Sequence, residues 1–170
     1  LWGRDDVLVA KGDKKFTEEI YYADASYFSV FTHPLIEGDP KTALAEPNTI
    51  VLTRSASTKL FGAESPVGKT VSLNDDDYLV TGLAEDIPHN AHIHFHYLAS
   101  LVSRKDSRNQ MWVSNNYFTY LVAADGASVA GIESKLDAMI RKYASPQIKS
   151  ILNVTFKEFE KSGGKYRFEL

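Results

Sequence analysis

The chain has 170 residues, 44% of them hydrophobic, with 19 Lys and Arg against 22 Asp and Glu for a formal charge of −3. This length suits one medium domain or two small intimate subdomains, and the apolar fraction supplies a core and excludes a disordered chain. The slightly acidic balance argues against a nucleic-acid or anionic-membrane binder, and the absence of cysteine excludes a disulfide framework, zinc–thiolate sites and a thiol nucleophile.

From the N-terminus, residues 7–10 (VLVA) and 16–23 (FTEEIYYA) read as strands around a Gly12-Asp13 turn. Residues 25–31 (ASYFSVF) carry aromatics at near-helical spacing, which predicts a short helix on the core. Gly38, Pro40 and Pro47 mark 37–47 as loop, and TIVLT (49–53) as the next strand. Ser55 is the expected cap of a helix over 55–62 that ends at Gly62. Residues 68–73 and 77–86 predict a hairpin with NDDD as its turn, since Asn and Asp tolerate the backbone angles required. Alternation predicts a strand over 92–101, and aromatic richness another over 116–123, with a charged loop over 103–110 between them. Val129, Ile132, Leu136, Met139, Ile140 and Tyr143 recur at helical spacing and predict an amphipathic helix over 128–143. Residues 147–160 read as a continuation of helix past Pro146, and Gly163-Gly164 turn into a final strand over 165–170. The order of elements is that of a mixed α+β chain.

No apolar run approaches the ~20 residues of a membrane-spanning helix. The chain opens on Leu1-Trp2 without an initiating Met and closes on Phe168-Glu169-Leu170 without a polar tail. Both ends therefore read as cut, as in a fragment excised from a longer protein.

Four of the five histidines fall within DIPHNAHIHFHYLAS (86–100), with His92, His94 and His96 at alternate positions. On a strand, i and i+2 side chains share a face about 7 Å apart, while i and i+4 are about 13 Å apart. A His-x-His pair can chelate one ion, but a third ligand has to come from elsewhere, for instance His89 or an acid. The plainer reading puts His92, His94 and His96 outward and Ile93, Phe95 and Tyr97 inward on a half-buried strand. A histidine surface that responds to pH is a further possibility.

GAESPVGKT (62–70) imitates a phosphate-binding loop, but five residues rather than four separate Gly62 from Gly68. A helix precedes it and a strand follows, the reverse of the order that aims a helix N-terminus at phosphate. It reads as a connector, with Gly62 closing the helix and Gly68 in a turn. Asp24, Asp39 and Asp86 stand beside turns, where capping bonds explain them more simply than acid–base chemistry. The aromatics Tyr21, Tyr22, Tyr27, Phe28, Phe31, Tyr117, Phe118 and Tyr120 read as core or subdomain interface.

Four stretches read together carry a resemblance: 22–44, 49–73, 78–100 and 115–136. Within them stand Asp24, Phe28, Phe31, Gly38-Asp39-Pro40, Ala43-Leu44, Phe61-Gly62, Pro66, Gly68-Lys69, Val80, Gly82, Asp86, Pro88, Asn90 and His92. In that order the set resembles the periplasmic domain of MacB-type ABC transporter permeases, of the FtsX-like superfamily. The chain departs from the pattern at Ala91, where Ser is expected, and at His96, where an acid often follows Phe95.

The resemblance implies a permease with four membrane helices and a large periplasmic domain between the first and second. It implies two subdomains, a Porter-like βαβ part over 1–12 and 112–170, and an inserted strand-rich Sabre-like part over 13–111. It also implies a separate ATP-binding subunit, a permease homodimer or heterodimer and a periplasmic or outer-membrane partner. No nucleic acid or cofactor is expected, and no catalytic, cofactor-binding or metal residue carries over. The expected role is non-catalytic, coupling cytoplasmic ATP hydrolysis to movement in the periplasm of an inner-membrane protein. Two alternatives are a metal-dependent enzyme using His89, His92 and His94, and a stand-alone extracellular binding module.

Overall fold

The computed structural model describes residues 1–114 and 116–168, and the chain divides into two compact units. Unit 1 comprises 1–108 with 118–120, and unit 2 comprises 109–117 with 121–170. The first unit holds seven strands among the described residues: β1 (Trp2–Lys11), β2 (Lys14–Ala23), β3 (Leu35–Glu37), β4 (Thr49–Thr53), β5 (Thr70–Leu73), β6 (Asp76–Ala84) and β7 (Tyr97–Ser100). Two helices accompany them, α1 (Tyr27–Val30) and α2 (Arg54–Phe61).

The strands form one mixed sheet in the order β3-β6-β4-β7-β2-β1-β5. β2 runs parallel to β7 and β4 parallel to β6; the other pairs are antiparallel. Because β5 pairs with both β1 and β6, six strands close into a ring, which removes most exposed edges. β1 pairs with β2 from Trp2–Tyr22 to Lys11–Lys14. Residues 1–12 thus lie within the first unit's sheet, whereas the expected Porter-like part grouped them with 112–170.

Alternation along the strands sorts side chains into two cores. Ile50 and Leu52 of β4, with Tyr97 and Ala99 of β7, join Val7, Val9, Ile20, Val71 and Val80 in one cluster that also takes Ala56 and Leu60 of α2. Val51 and Leu98 point the other way, into a cluster with Tyr27, Ala43, Leu44, Ile93 and Phe95. β4 and β7 are thus buried on both faces, and their continuous apolar runs follow from that.

The β5–β6 turn is Asn74-Asp75, both with positive φ (47° and 73°), the signature of a tight primed hairpin. Helix α2 starts directly out of β4. Its cap is Thr53, whose hydroxyl accepts from Ala56 N, rather than the expected Ser55. Gly62 closes it with φ 68°, as expected.

The second unit is built on α3 (Val129–Leu152) and α4 (Phe156–Lys161). Ser128 caps α3 through Gly131 N, Pro146 lies inside the helix, and Asn153 ends it in the left-handed conformation. Thr155 and Glu158 form a reciprocal capping box on α4. Ile140, Ala144, Ile148 and Phe156 make the core, with Trp112, Val113, Phe159 and Tyr166 packed against it. Trp112 stacks on Tyr143 at 4.7 Å, and Gln147 ties the segment down by accepting from Trp112 N (2.7 Å) and donating to Gln110 O (2.8 Å). The amphipathic face is narrower than its sequence pattern: Val129 and Tyr143 are exposed, and Ile132, Leu136 and Met139 are half-buried.

One predicted strand forms only in part, and two others show no strand among the described residues. Only Tyr97–Ser100 of the expected 92–101 strand enters the sheet, and described residues of 116–123 have no strand structure. Residues 165–168 are likewise not strand, and the rest of that predicted element lies outside the described residues.

Candidate functional site

The histidine-rich stretch begins where Asp86 reaches back to the start of α2. Its carboxylate accepts from Ser55 N (2.9 Å) and from Ser55 Oγ (2.7 Å). Burial alone would raise the Asp86 pKa, but these bonds, with help from Thr53 and His96, outweigh it and hold the group below its usual range. A turn follows, with Ala91 N donating to Pro88 O. Over 92–96 the chain keeps strict alternation outside the ladder, with His92, His94 and His96 exposed and Ile93 and Phe95 buried, before buried Tyr97 opens β7. It is tied to β4 where Thr53 N donates to His96 O (3.0 Å).

Buried Phe95 belongs to an aromatic–histidine cluster that includes His33, a residue the sequence pattern did not single out. Tyr27 Oη and His33 Nδ1 are hydrogen-bonded at 2.8 Å. Ring centroids lie 4.8 Å apart for Tyr27–Phe31, 6.0 Å for the stacked Phe31–His33 pair and 5.8 Å for His33–Phe95. Phe31 and His92 both meet Tyr120, at 4.8 and 5.7 Å. Residues 118–120 thereby form a short strap on unit 1, fixed also by Leu1 N to Phe118 O and Phe118 N to Leu1 O, each 2.9 Å. Burial lowers the His33 pKa, and the nearby His92 and His94 lower it further. The only local hint of this in the sequence is that His33 directly follows the Phe28/Phe31 spacing.

Among the described residues, no three His, Asp or Glu side chains are gathered into a possible metal-ligand set. The ligand trio His89, His92 and His94 therefore does not form; alternation sends His92 and His94 outward on an extended segment. The other suspected acids are turn residues. Asp24 Oδ1 accepts from Ser26 N (2.9 Å), and Asp39 accepts from Lys41 N (3.0 Å) and Thr42 Oγ1 (3.3 Å). The phosphate-loop imitation is a connector: Lys69 is paired with Glu64, and Gly68 N and Lys69 O bond to Val80. No helix among the described residues is long and apolar enough to cross a membrane.

Residues 3–139 match the family profile of the MacB-like periplasmic core domain. Among solved structures, the chain is similar to a crystallised domain of a protein assigned as a permease, from Porphyromonas gingivalis. That likeness has a TM-score of 0.69 and 22% identity, covering 84% of this chain and 70% of the other. It is also similar to the periplasmic region of MacB from Actinobacillus actinomycetemcomitans, with TM-score 0.60 and 20% identity over 91% of this chain and 74% of that one. Comparison with curated protein sequences gives no significant match.

Proposed function

This chain belongs to the MacB-like periplasmic core domain family, and on that premise we propose that it is the mechanical relay of an ABC transporter permease in the inner membrane. The family match over residues 3–139 carries the reading. ATP is hydrolysed by a separate cytoplasmic subunit. The permease's own membrane helices pass the resulting movement to this domain, which shifts a substrate or a periplasmic or outer-membrane partner and performs no chemistry itself. The permease works as a homodimer or heterodimer. The two compact units support a bipartite domain of the Porter-like and Sabre-like kind.

The test uses the whole permease with its ATP-hydrolysing subunit in proteoliposomes. Replacing residues 1–170 by a Gly/Ser linker is expected to leave ATP hydrolysis running and to abolish transport. Undiminished transport by the linker variant would overturn the relay.

A further inference from the structure

The chain as a whole is slightly acidic, but its charge is unevenly divided. Unit 1 carries 11 Lys and Arg against 16 Asp and Glu, whereas unit 2 carries 8 against 6. Three of the cations of unit 2 form a line on one face of α3. Lys135, Lys142 and Lys149 are all exposed and recur every seven residues. Seven residues are close to two helical turns, so the three stand about 10 Å apart on one stripe. That stripe faces away from the core side of the helix, where Ile140, Ala144 and Ile148 are buried.

The stripe has no acid of its own. No Asp or Glu stands three or four positions from any of the three lysines, where a helix would pair them. Among the described residues none of the three makes an ion pair. Three acids of the unit are engaged elsewhere. Asp137 and Glu160 hold Arg141, and the Glu158 carboxylate is taken up by Thr155 in the capping box, with Lys149 the weakest influence on it. Beside the lysines runs an apolar flank, Val129, Ile132, Leu136, Met139 and Tyr143, at alternating spacings of three and four. Val129 is 58% exposed and Tyr143 40%, and no residue of α3 before Ile140 is buried.

This pattern selects among partners. Lysine is a compact, strongly hydrated point charge on a flexible stem, without the fork that grips one carboxylate or phosphate at two points. An evenly spaced row of such charges suits a broad anionic surface. The apolar flank suits a surface with an oily layer beneath its charges, since lysine stems can keep their ammonium heads above it. We propose that this face of α3 rests on an anionic lipid bilayer, with Lys135, Lys142 and Lys149 on the headgroups and Val129 and Tyr143 reaching below them. The assignment rests on the permease reading only for the presence of a bilayer beside the domain.

The test is flotation of the 170-residue chain with two kinds of vesicle at low salt. One is phosphatidylcholine alone; the other contains about one third phosphatidylglycerol, which gives the surface its negative potential. The chain is expected to float with the second and stay behind with the first, and to be released at high salt. Replacing the stripe by Lys135→Gln, Lys142→Gln and Lys149→Gln together should weaken binding about fivefold per lysine, roughly a hundredfold in all. The control Lys15→Gln, Lys41→Gln and Lys105→Gln makes the same change in net charge at exposed sites of unit 1 and should leave binding intact. Both triples exchange exposed side chains and should fold normally. Equal losses in the two triples, or no loss in the first, would overturn the face. Tighter binding to soluble polyglutamate than to the anionic vesicles would overturn the lipid assignment in favour of an acidic protein. Absence of any vesicle binding would overturn the proposal and leave the relay, which the transport assay tests, standing.

Discussion

Gly38 shows how one residue can be fixed by backbone geometry alone. Its φ is 102°, and a Cβ there would meet Thr81 O at 2.4 Å and Gly82 Cα at 2.9 Å. Both the dihedral and the clash are with main chain, which cannot swing aside. Gly38→Ala should lose roughly 2–4 kcal/mol of stability, read as a lowered denaturation midpoint with an unchanged m-value. Asp86 acts through its bonds to Ser55. Asp86→Ala removes a cap from α2 and should cost about 1 kcal/mol at neutral pH. Because its folded pKa is depressed, that contribution is present above its ordinary value of 3.8 and is lost as pH falls through the folded value. Wild type and variant should therefore converge in stability in strong acid. Both residues stand in the resemblance pattern, and Asp86's capping role follows from its place beside a turn. The cap at Thr53 was not legible. Its extended backbone (φ −75°, ψ 165°) serves equally as the last strand residue and as a cap, so β4 becomes α2 with no loop to mark the change.

At the scale of elements, alternation reported which residues are buried over 92–97, but not the pairing, nor that Tyr97 enters the opposite core from Ile93 and Phe95. His92 to Tyr97 alternate out and in as expected, yet only from Tyr97 does the chain enter the ladder. A period of two follows from an extended backbone over a core and does not require a hydrogen-bonded neighbour. The consequence is measurable. Leu98 and Ala99 sit between β2 and β4, in register with Tyr21 and Tyr22 on one side and Val51 and Ile50 on the other. Amides of 97–99 should be protected from hydrogen exchange roughly tenfold or more over those of 92–95. Equal protection would mean that the whole stretch is a strand. In 116–123, aromatic richness suggested a strand, but the aromatics serve the three-residue strap 118–120 instead. Helix α3 was legible because a 3.6-residue period needs many residues to appear by chance. Its continuation to Leu152 was not fixed by that pattern, since Pro146 deletes one N–H donor without forbidding the turns that follow.

For the whole molecule, local patterns revealed the mixed α+β class, but the ring closure through β5 depends on pairing between strands distant in sequence, which no local pattern encodes. One global asymmetry is legible from both sequence and fold. All five histidines, residues 33, 89, 92, 94 and 96, belong to unit 1, and unit 2 has none. His33 faces the Tyr27 hydroxyl, and His92 and His94 act on it from the extended segment. Burial and these two neighbours hold its folded pKa below the ordinary 6.5. The unfolded chain therefore binds more protons in the window below 6.5, and stability falls as pH drops through it. Above that window the His33 contribution is constant. Histidine is the side chain that titrates between about pH 5 and about pH 8, so unit 2 should be nearly indifferent there. The chain's two tryptophans divide between the units, Trp2 against the core of unit 1 and Trp112 in unit 2. Single-tryptophan variants followed by fluorescence should show the Trp2 midpoint moving down on acidification while the Trp112 midpoint stays in place. His33→Phe should flatten most of the Trp2 dependence. An acid response that survives His33→Phe, or that appears equally at Trp112, would place the sensitivity outside the Tyr27–His33 cluster.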